Sequence, residues 1–463
     1  LAAFIPFFVL SPNTIMSIIG YMHGPDKTIP TPKEDWRKAK VDVVIPAFNE
    51  EHTISFCLAS LAHQTLKPQR VILVDDGSYD KTLQCAESFC KANNMELISI
   101  RRKASIGKTP TIKRQSREFD SDVEFILDAD TILESENYIE RTVQELYQAV
   151  GIASACGIIL PLREKDRRSI LSYPSMQSFI SNMPEYSINS SKNWLEKLNY
   201  SITNLYRDVL YLFLQKFIYR GQIVFFGSMI NPVGCAVAYR RKYIKDLFDH
   251  YEPIMGDDLT TSEDIFIGFS NLNEGYRNIQ LSDVVARSTE PKSTYLPHQV
   301  FLWSSSFMQS CYYFNDLLMS AFKFIKRYLY RRRQDKKIGK IIKEMRKIQE
   351  PYRQAFGAQY TKKLGRPVGW CVLTSAIEKI SFPTIIAVMM ILGWWKGLGI
   401  TIAIEAFLAL LFLTIIAKGH RLEYFFKGIL ITPLRYSLLL FDLVVFGKFV
   451  TDIWILKNRN WRK

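Results

Sequence analysis

Between residues 380 and 417 the chain carries only two charges, Lys396 and Glu405. Backbone that enters lipid must satisfy every peptide group internally, which confines such a stretch to helices. About 20 apolar residues cross a bilayer core, and two spans fit, roughly 381–395 and 398–417. Residues 426–456 are also apolar, but Pro433, Arg435, Asp442 and Lys448 interrupt them. A charge at the bilayer centre costs ~2.5–3.5 kcal/mol on insertion scales. This third stretch is therefore expected to bend, to re-enter, or to face a polar channel. Residues 1–22 carry no charge and read as an incomplete membrane segment, since Leu1 already lies in an apolar run. A signal peptide is the rival reading, but no basic n-region or small-residue cleavage site is visible.

The middle of the chain is different. From about Asp35 to Tyr295 it has the mixed composition of a water-soluble domain. Short β-like runs alternate with helical spacing: strand 42–46, helix 50–64, strand 71–75, helix 80–93, strand 96–100, helix 108–119, strand 123–128. That rhythm predicts an α/β fold with a mostly parallel, Rossmann-like sheet. Residues 152–160 read as a further strand, 163–225 as a helical excursion that packs on the head or touches lipid, and the sheet resumes at 231–241. Four regions follow: an N-terminal membrane segment 1–22, a head 38–304, an interfacial helix with a basic connector 305–350, and a C-terminal membrane region 371–456.

The formal net charge is +15, and its location decides its meaning. Residues 323–347 hold twelve Lys or Arg against only Asp335 and Glu344. Lying between the head and the apolar region, this run suits anionic headgroups on the cytoplasmic face. Nucleic acid is not expected as a partner. Residues 305–330 read as an amphipathic helix on the membrane surface. Seven cysteines form no CxxC pair or metal-ligand spacing, as for reduced thiols in a cytosolic head. The sequons at Asn189 and Asn199 would then meet no glycosylation machinery.

Three acidic signatures stand in order: Asp75-Asp76-Gly77-Ser78, Asp128-Ala129-Asp130 and Ser262-Glu263-Asp264. The first two end apolar strands, and an open parallel sheet binds ligands beyond the carboxyl ends of its strands. Asp128-Ala129-Asp130 ends the fourth strand, 123–128, and alternation sends Asp128 and Asp130 to one face. Carboxylates gathered there need a cation, and a diphosphate bridged by Mg²⁺ or Mn²⁺ is the expected guest, with Asp130 as direct ligand and Asp128 nearer the ribose and metal shell. Asp264 opens a predicted helix, 265–274, where negative charge is favoured. The pair Asp257-Asp258 competes with it for the part of general base.

With Pro46-Ala47-Phe48-Asn49-Glu50 at the first strand and Gln299-Val300-Phe301-Leu302-Trp303 at the end, the ordered set resembles membrane-embedded family 2 glycosyltransferases of GT-A fold. The likeness is to synthases of the cellulose, chitin and hyaluronan type, over about residues 40–305. It implies that Ala47, Phe48 and Glu50 line the nucleoside pocket, that Asp76 contacts the base, and that Lys108 meets the diphosphate. It further implies that Gly234 and Cys235 cradle the acceptor beside Glu263, that Gln299 and Trp303 shape the acceptor end, and that Asp264 is the base of an inverting transfer. Leu302 departs from the pattern, because the family carries an Arg there that helps hold the diphosphate. Arg287 and Lys292 are the candidate replacements.

The resulting expectation is transfer of a sugar from a UDP-sugar to a growing polysaccharide at the cytoplasmic face of the cell membrane, coupled to translocation. Single addition to a lipid-linked acceptor is the alternative, and an inactive scaffold or channel subunit the second.

Overall fold

The computed structural model describes residues 11–23, 34–149, 151–186, 193–255, 262–337 and 355–456, together with 339, 341, 342 and 344. Asp257, Asp258 and Asn189 lie outside the described residues, as do residues 1–10 of the expected N-terminal segment.

Eight strands form one sheet. They are β1 (Val41–Ala47), β2 (Arg70–Asp75), β3 (Leu97–Arg101), β4 (Val123–Leu127), β5 (Thr131–Leu133), β6 (Ile152–Pro161), β7 (Ala236–Arg240) and β8 (Arg277–Ser288), in the order β3-β2-β1-β4-β7-β6-β8-β5. β1 pairs in parallel with β2 and β4, and β2 with β3. This half is the parallel sheet that the alternation predicts. Beyond β4 the sheet is mixed: β7 runs antiparallel to β4 and β6, and β5 to β8. β8 has no counterpart among the predicted strands.

Both faces of the central strands are covered. Val43 and Ile45 of β1 pack with Phe56, Leu58 and Phe89 on one side, while Val44, Ile72 and Ile126 meet Ile112, Phe266 and Phe269 on the other. Strands buried on both faces read as unbroken apolar runs, as Val71-Ile72-Leu73-Val74 does. Each such side chain contributes ~1.5–3 kcal/mol on burial. The strand ends are therefore held by a rigid base.

Among the described residues, four helices are long and apolar enough to cross a membrane: Trp194–Phe226, Gly369–Ile391, Trp395–Ile416 and Arg421–Ile453. The first lies at the end of the expected helical excursion, 163–225. The last corrects the interrupted third stretch, because helix Arg421–Val450 is continuous through Pro433. Its charges are paired: Arg435 with Glu405 (2.7 Å), Asp442 with Lys379 (3.0 Å), Lys448 with Asp452 (2.6 Å). Paired charges facing other helices avoid most of the cost that a lone one would carry.

The expected single helix 305–330 is also corrected. Helix Leu296–Tyr313 ends at Phe314, and Asn315–Leu318 and a 3₁₀ stretch, Met319–Lys323, intervene before Phe324–Lys337 begins. Phe314 and Leu317 turn inward onto Tyr251, Phe266 and Phe269, which breaks a continuous surface helix. All seven cysteines are unpaired.

Candidate active site

The carboxyl ends of β1, β2 and β4 open on one side of the sheet, and the acidic signatures converge there. β4 stops at Leu127. Asp128-Ala129-Asp130 is a turn closed by the Thr131 amide on the Asp128 carbonyl (2.9 Å). The two acids meet through that turn and not through strand alternation. Asp130 is half-buried, with Thr131 and Ser288 hydroxyls at 3.2 and 3.5 Å. Burial, followed by the charges of Glu50 and Asp128, pushes its carboxyl well above the ordinary range. Glu50 is raised as well, by burial and then by Asp128 and Asp80.

Lys108 starts helix Lys108–Glu118 and points its ammonium into this acidic group. It lies 2.7 Å from Asp128 Oδ1, 2.8 Å from Glu263 Oε1 and 3.1 Å from the Gly234 carbonyl. Burial works against its charge, but Asp128 and Glu263 hold its pKa well above normal. One side chain thus joins three segments that are far apart in sequence.

Asp264 stands in the first turn of helix Glu263–Glu274, capped by Ser262 and ended by Gly275 in the left-handed region (φ 90°). A side chain at 275 would be strained, and its Cβ would lie 2.5 Å from the Arg366 guanidinium. Asp264 Oδ1 accepts from the Ser262 hydroxyl and the Ile265 amide, both at 2.8 Å, and Oδ2 accepts from the Gly234 amide at 3.2 Å. A Cβ at Gly234 would fall 2.9 Å from the Asp264 Cβ, so this close approach needs glycine. Burial and then Glu263 raise the Asp264 pKa to about 6. Cys235 adjoins the group, its carbonyl taking the Asp128 amide at 2.9 Å.

Asp76 is bonded within the protein. Its carboxylate accepts from Arg102 (2.7 Å), the Ser105 hydroxyl (2.7 Å), the Ile106 amide (3.1 Å) and the Gly107 amide (2.8 Å). A carboxylate offers about four lone-pair sites, so both oxygens are filled. These bonds, against the opposing effect of burial, lower its pKa. Asp76 anchors the loop that delivers Lys108. Ala47 is buried at the end of β1, whereas Phe48 is exposed and meets exposed Tyr79 edge-on, with ring centres 6.2 Å apart.

Gln299 and Trp303 lie on helix Leu296–Tyr313, and the cation beside them comes from neither candidate. Arg287 binds Glu134 (2.7 Å) and Asp166 (3.4 Å), and Lys292 binds Glu196 (2.7 Å). Arg207, from helix Trp194–Phe213, donates to Gln299 and sits 4.5 Å from the Trp303 ring centre. It is 1% exposed and pairs with buried Glu290 at 3.0 Å, whose other oxygen takes the Tyr211 hydroxyl at 2.9 Å. A charge inside a mostly apolar helix is the signal that singles out Arg207, since such a residue always needs a partner.

Among the described residues, no three His, Cys, Asp or Glu side chains close on one metal ion. Asp128 and Asp130 fit a hard cation that draws its remaining ligands from a diphosphate, because Mg²⁺ is commonly held by one or two carboxylates plus substrate phosphates. Asp130, half-buried beside the acids Glu50 and Asp128, is the feature that calls for a cation.

The profile of glycosyl transferase family 2 matches residues 42–248. The cholesterol galactosyltransferase of Borreliella burgdorferi is 34% identical over 98 residues, 21% of this chain and 27% of that protein. The O-antigen chain rhamnosyltransferase RfbN of Salmonella typhimurium is 24% identical over 263 residues, 57% of this chain and 69% of that one. The undecaprenyl-phosphate 4-deoxy-4-formamido-L-arabinose transferase of Proteus mirabilis is 31% identical over 121 residues, 24% of this chain and 36% of that one. Among solved structures, the mannosyltransferase PcManGT of Pyrobaculum calidifontis aligns over 98% of this chain and 99% of its own at 14% identity, with a TM-score of 0.49.

Proposed function

Residues 42–248 are a family 2 glycosyltransferase domain, and on that premise we propose that the chain moves a sugar from a UDP-sugar to an acceptor hydroxyl at a membrane, inverting the anomeric centre. The carrying observation is Lys108, whose ammonium ties the Asp128 turn to Glu263 while the Gly234 amide holds Asp264 in the same group. Donor-binding acids and a candidate base are thereby joined through one cation.

In this reading Ala47 and Glu50 line the nucleoside end, and exposed Phe48 and Tyr79 offer aromatic faces to the base. Asp128 and Asp130 hold the metal with the diphosphate. When bound, that metal supplies charge stabilisation to the departing diphosphate. Lys108 exchanges its carboxylate partners for the diphosphate and adds a second positive charge where negative charge develops. Asp264 takes the proton from the acceptor hydroxyl. The acceptor oxygen forms its bond to the anomeric carbon as the bond to the diphosphate breaks, and the electron pair leaves with the diphosphate. A single displacement of this kind inverts configuration.

The exposed Arg331–Arg333 run on helix Phe324–Lys337 supports placing the head on the cytoplasmic face of the cell membrane. The matched relatives bear names that cite cholesterol, an O-antigen chain and undecaprenyl phosphate. A growing polysaccharide and a lipid-linked acceptor are both within that range.

The test is turnover of the purified full chain with a panel of UDP-sugars in membrane lipid, read as UDP release with Mg²⁺ or Mn²⁺ and again with EDTA. Metal-dependent release for one donor supports the proposal. Release unaffected by EDTA contradicts it.

A further inference from the structure

Beside Asp264 lies a cavity of about 350 Å³. Its walls come from four helices, strand β6 and the loop 231–233, and two of the helices, Trp194–Phe226 and Gly369–Ile391, are candidate membrane spans. Leu214, Tyr219, Val233, Ile265, Trp303 and Phe307 supply the large apolar part of the lining. The wall at Leu214–Ile218 is a π-helical turn, a feature often found where a helix is shaped for function.

The polar groups that reach this cavity are mostly engaged within the protein. Gln215 donates to the Ile159 carbonyl and accepts from the Ile159 amide and Gln280, each at 2.8 Å. The Tyr211 hydroxyl is held by Glu290 (2.9 Å), and the Ser375 hydroxyl accepts from Asn13 (3.0 Å). Lys379 is balanced by Asp442 at 3.0 Å, whose other oxygen takes the Ser304 hydroxyl at 2.5 Å. A sugar chain brought here would bury hydroxyl groups with few partners, at about 1–3 kcal/mol for each one left unmade. A lipid phosphate would meet a cation already neutralised. It would also not need a base, since a phosphate monoester is ionised at neutral pH. A hydrocarbon body fits this lining, and Asp264 fits a neutral hydroxyl.

We propose that this cavity receives a neutral lipid alcohol, whose apolar body lies between the two candidate spans and whose hydroxyl is presented to Asp264. The inference rests on the proposed function and names its acceptor class. The hydroxyl proton passes to Asp264, the alcohol oxygen bonds to the anomeric carbon of the UDP-sugar, and the diphosphate leaves with the electron pair of the broken bond. An acceptor already dissolved in the bilayer reaches the base without leaving the membrane.

The probe is a long-chain alcohol carrying a diazirine, applied to the full chain in lipid nanodiscs without donor, with labelled peptides identified by mass spectrometry. Labelling within 211–219 and 303–307, competed by unlabelled alcohol, is expected. Leu214→Trp, which fills the cavity, should reduce labelling roughly tenfold, equivalent to displacing about two methylenes of buried chain. Phe307→Ala, which enlarges it, should admit bulkier alcohols. Labelling that is absent from these peptides, or insensitive to both substitutions, overturns the inference. So does stronger competition by the matching alkyl phosphate or by a soluble oligosaccharide. Donor turnover is read separately: labelling without any UDP-sugar turnover leaves the cavity assignment standing and removes the transferase reading.

Discussion

Replacing Arg207 by Met should damage the protein more than any surface charge change. The guanidinium is 1% exposed and its partner Glu290 is 5% exposed, so removal leaves a carboxylate in the interior without its main counter-charge. Breaking a buried ion pair from one side costs about 3–5 kcal/mol. At ~2–4 °C per kcal/mol for a unit of 150–250 residues, the apparent melting temperature should fall by roughly 6–20 °C. The loss lies in the stranded Glu290 more than in the missing bond. The double variant Arg207→Met, Glu290→Gln should therefore recover most of the temperature, because a neutral amide beside the Tyr211 hydroxyl carries no unbalanced charge. Activity should not recover with it, since Gln299 and Trp303 would still lack the cation that holds them. The assay is thermal unfolding of the detergent-purified chain, with UDP release measured on the same preparations. A single variant within ~1 kcal/mol of wild type, or a double variant no more stable than the single, would refute the reasoning.

Further outcomes follow from the same geometry. Because burial raises Asp264 to about 6 and the base works deprotonated, kcat/KM should rise with pH through about 6 and fall tenfold per unit below it; a profile flat down to pH 5 counts against it. Asp76→Asn should raise the KM for the donor, because the Ser105–Gly107 loop that positions Lys108 loses its anchor, while preference among nucleobases stays unchanged; a changed base preference would restore contact between Asp76 and the base. Calorimetry should find UDP binding at least tenfold weaker in EDTA, since without a cation the diphosphate meets Asp128 and Asp130 directly; equal affinity in both conditions would exclude the metal.

The strands that order the site were legible as apolar runs, two of them closed by an acid, Val71–Asp75 and Phe125–Asp128. β8 was not, since Arg277, Gln280, Ser282, Asp283 and Arg287 break any alternation, and its place comes from pairing with β6 over a long register. The helix boundary at Gly275 was readable from spacing, because a left-handed cap admits little besides glycine. The loop bonds of Asp76 were not legible, because an acidic turn after a strand has the same sequence whether it binds a ligand or its own loop. The bonds from Arg102 to Gly107 are visible only in the structure. Arg207 escaped because its partners, Glu290, Gln299 and Trp303, are remote in sequence and belong to another helix and loop. The apolar helix that carries it reads as an excursion that packs on the head or touches lipid, and Arg207, Asp208 and Lys216 keep it from reading as an uninterrupted span. Asp208 is in fact neutralised by Arg163 and Lys427, the latter at 2.7 Å.

The claim that the joined acidic group is a transferase site, with Asp264 as its base, is tested most directly by Asp264→Asn. Binding of the UDP-sugar with metal and its turnover should be measured on the same sample. Affinity is expected to stay within a few-fold of wild type, while turnover falls by ~10²–10⁴-fold, the usual contribution of a general base. A variant that keeps more than half of wild-type turnover would contradict the assignment and move the base to Asp257-Asp258.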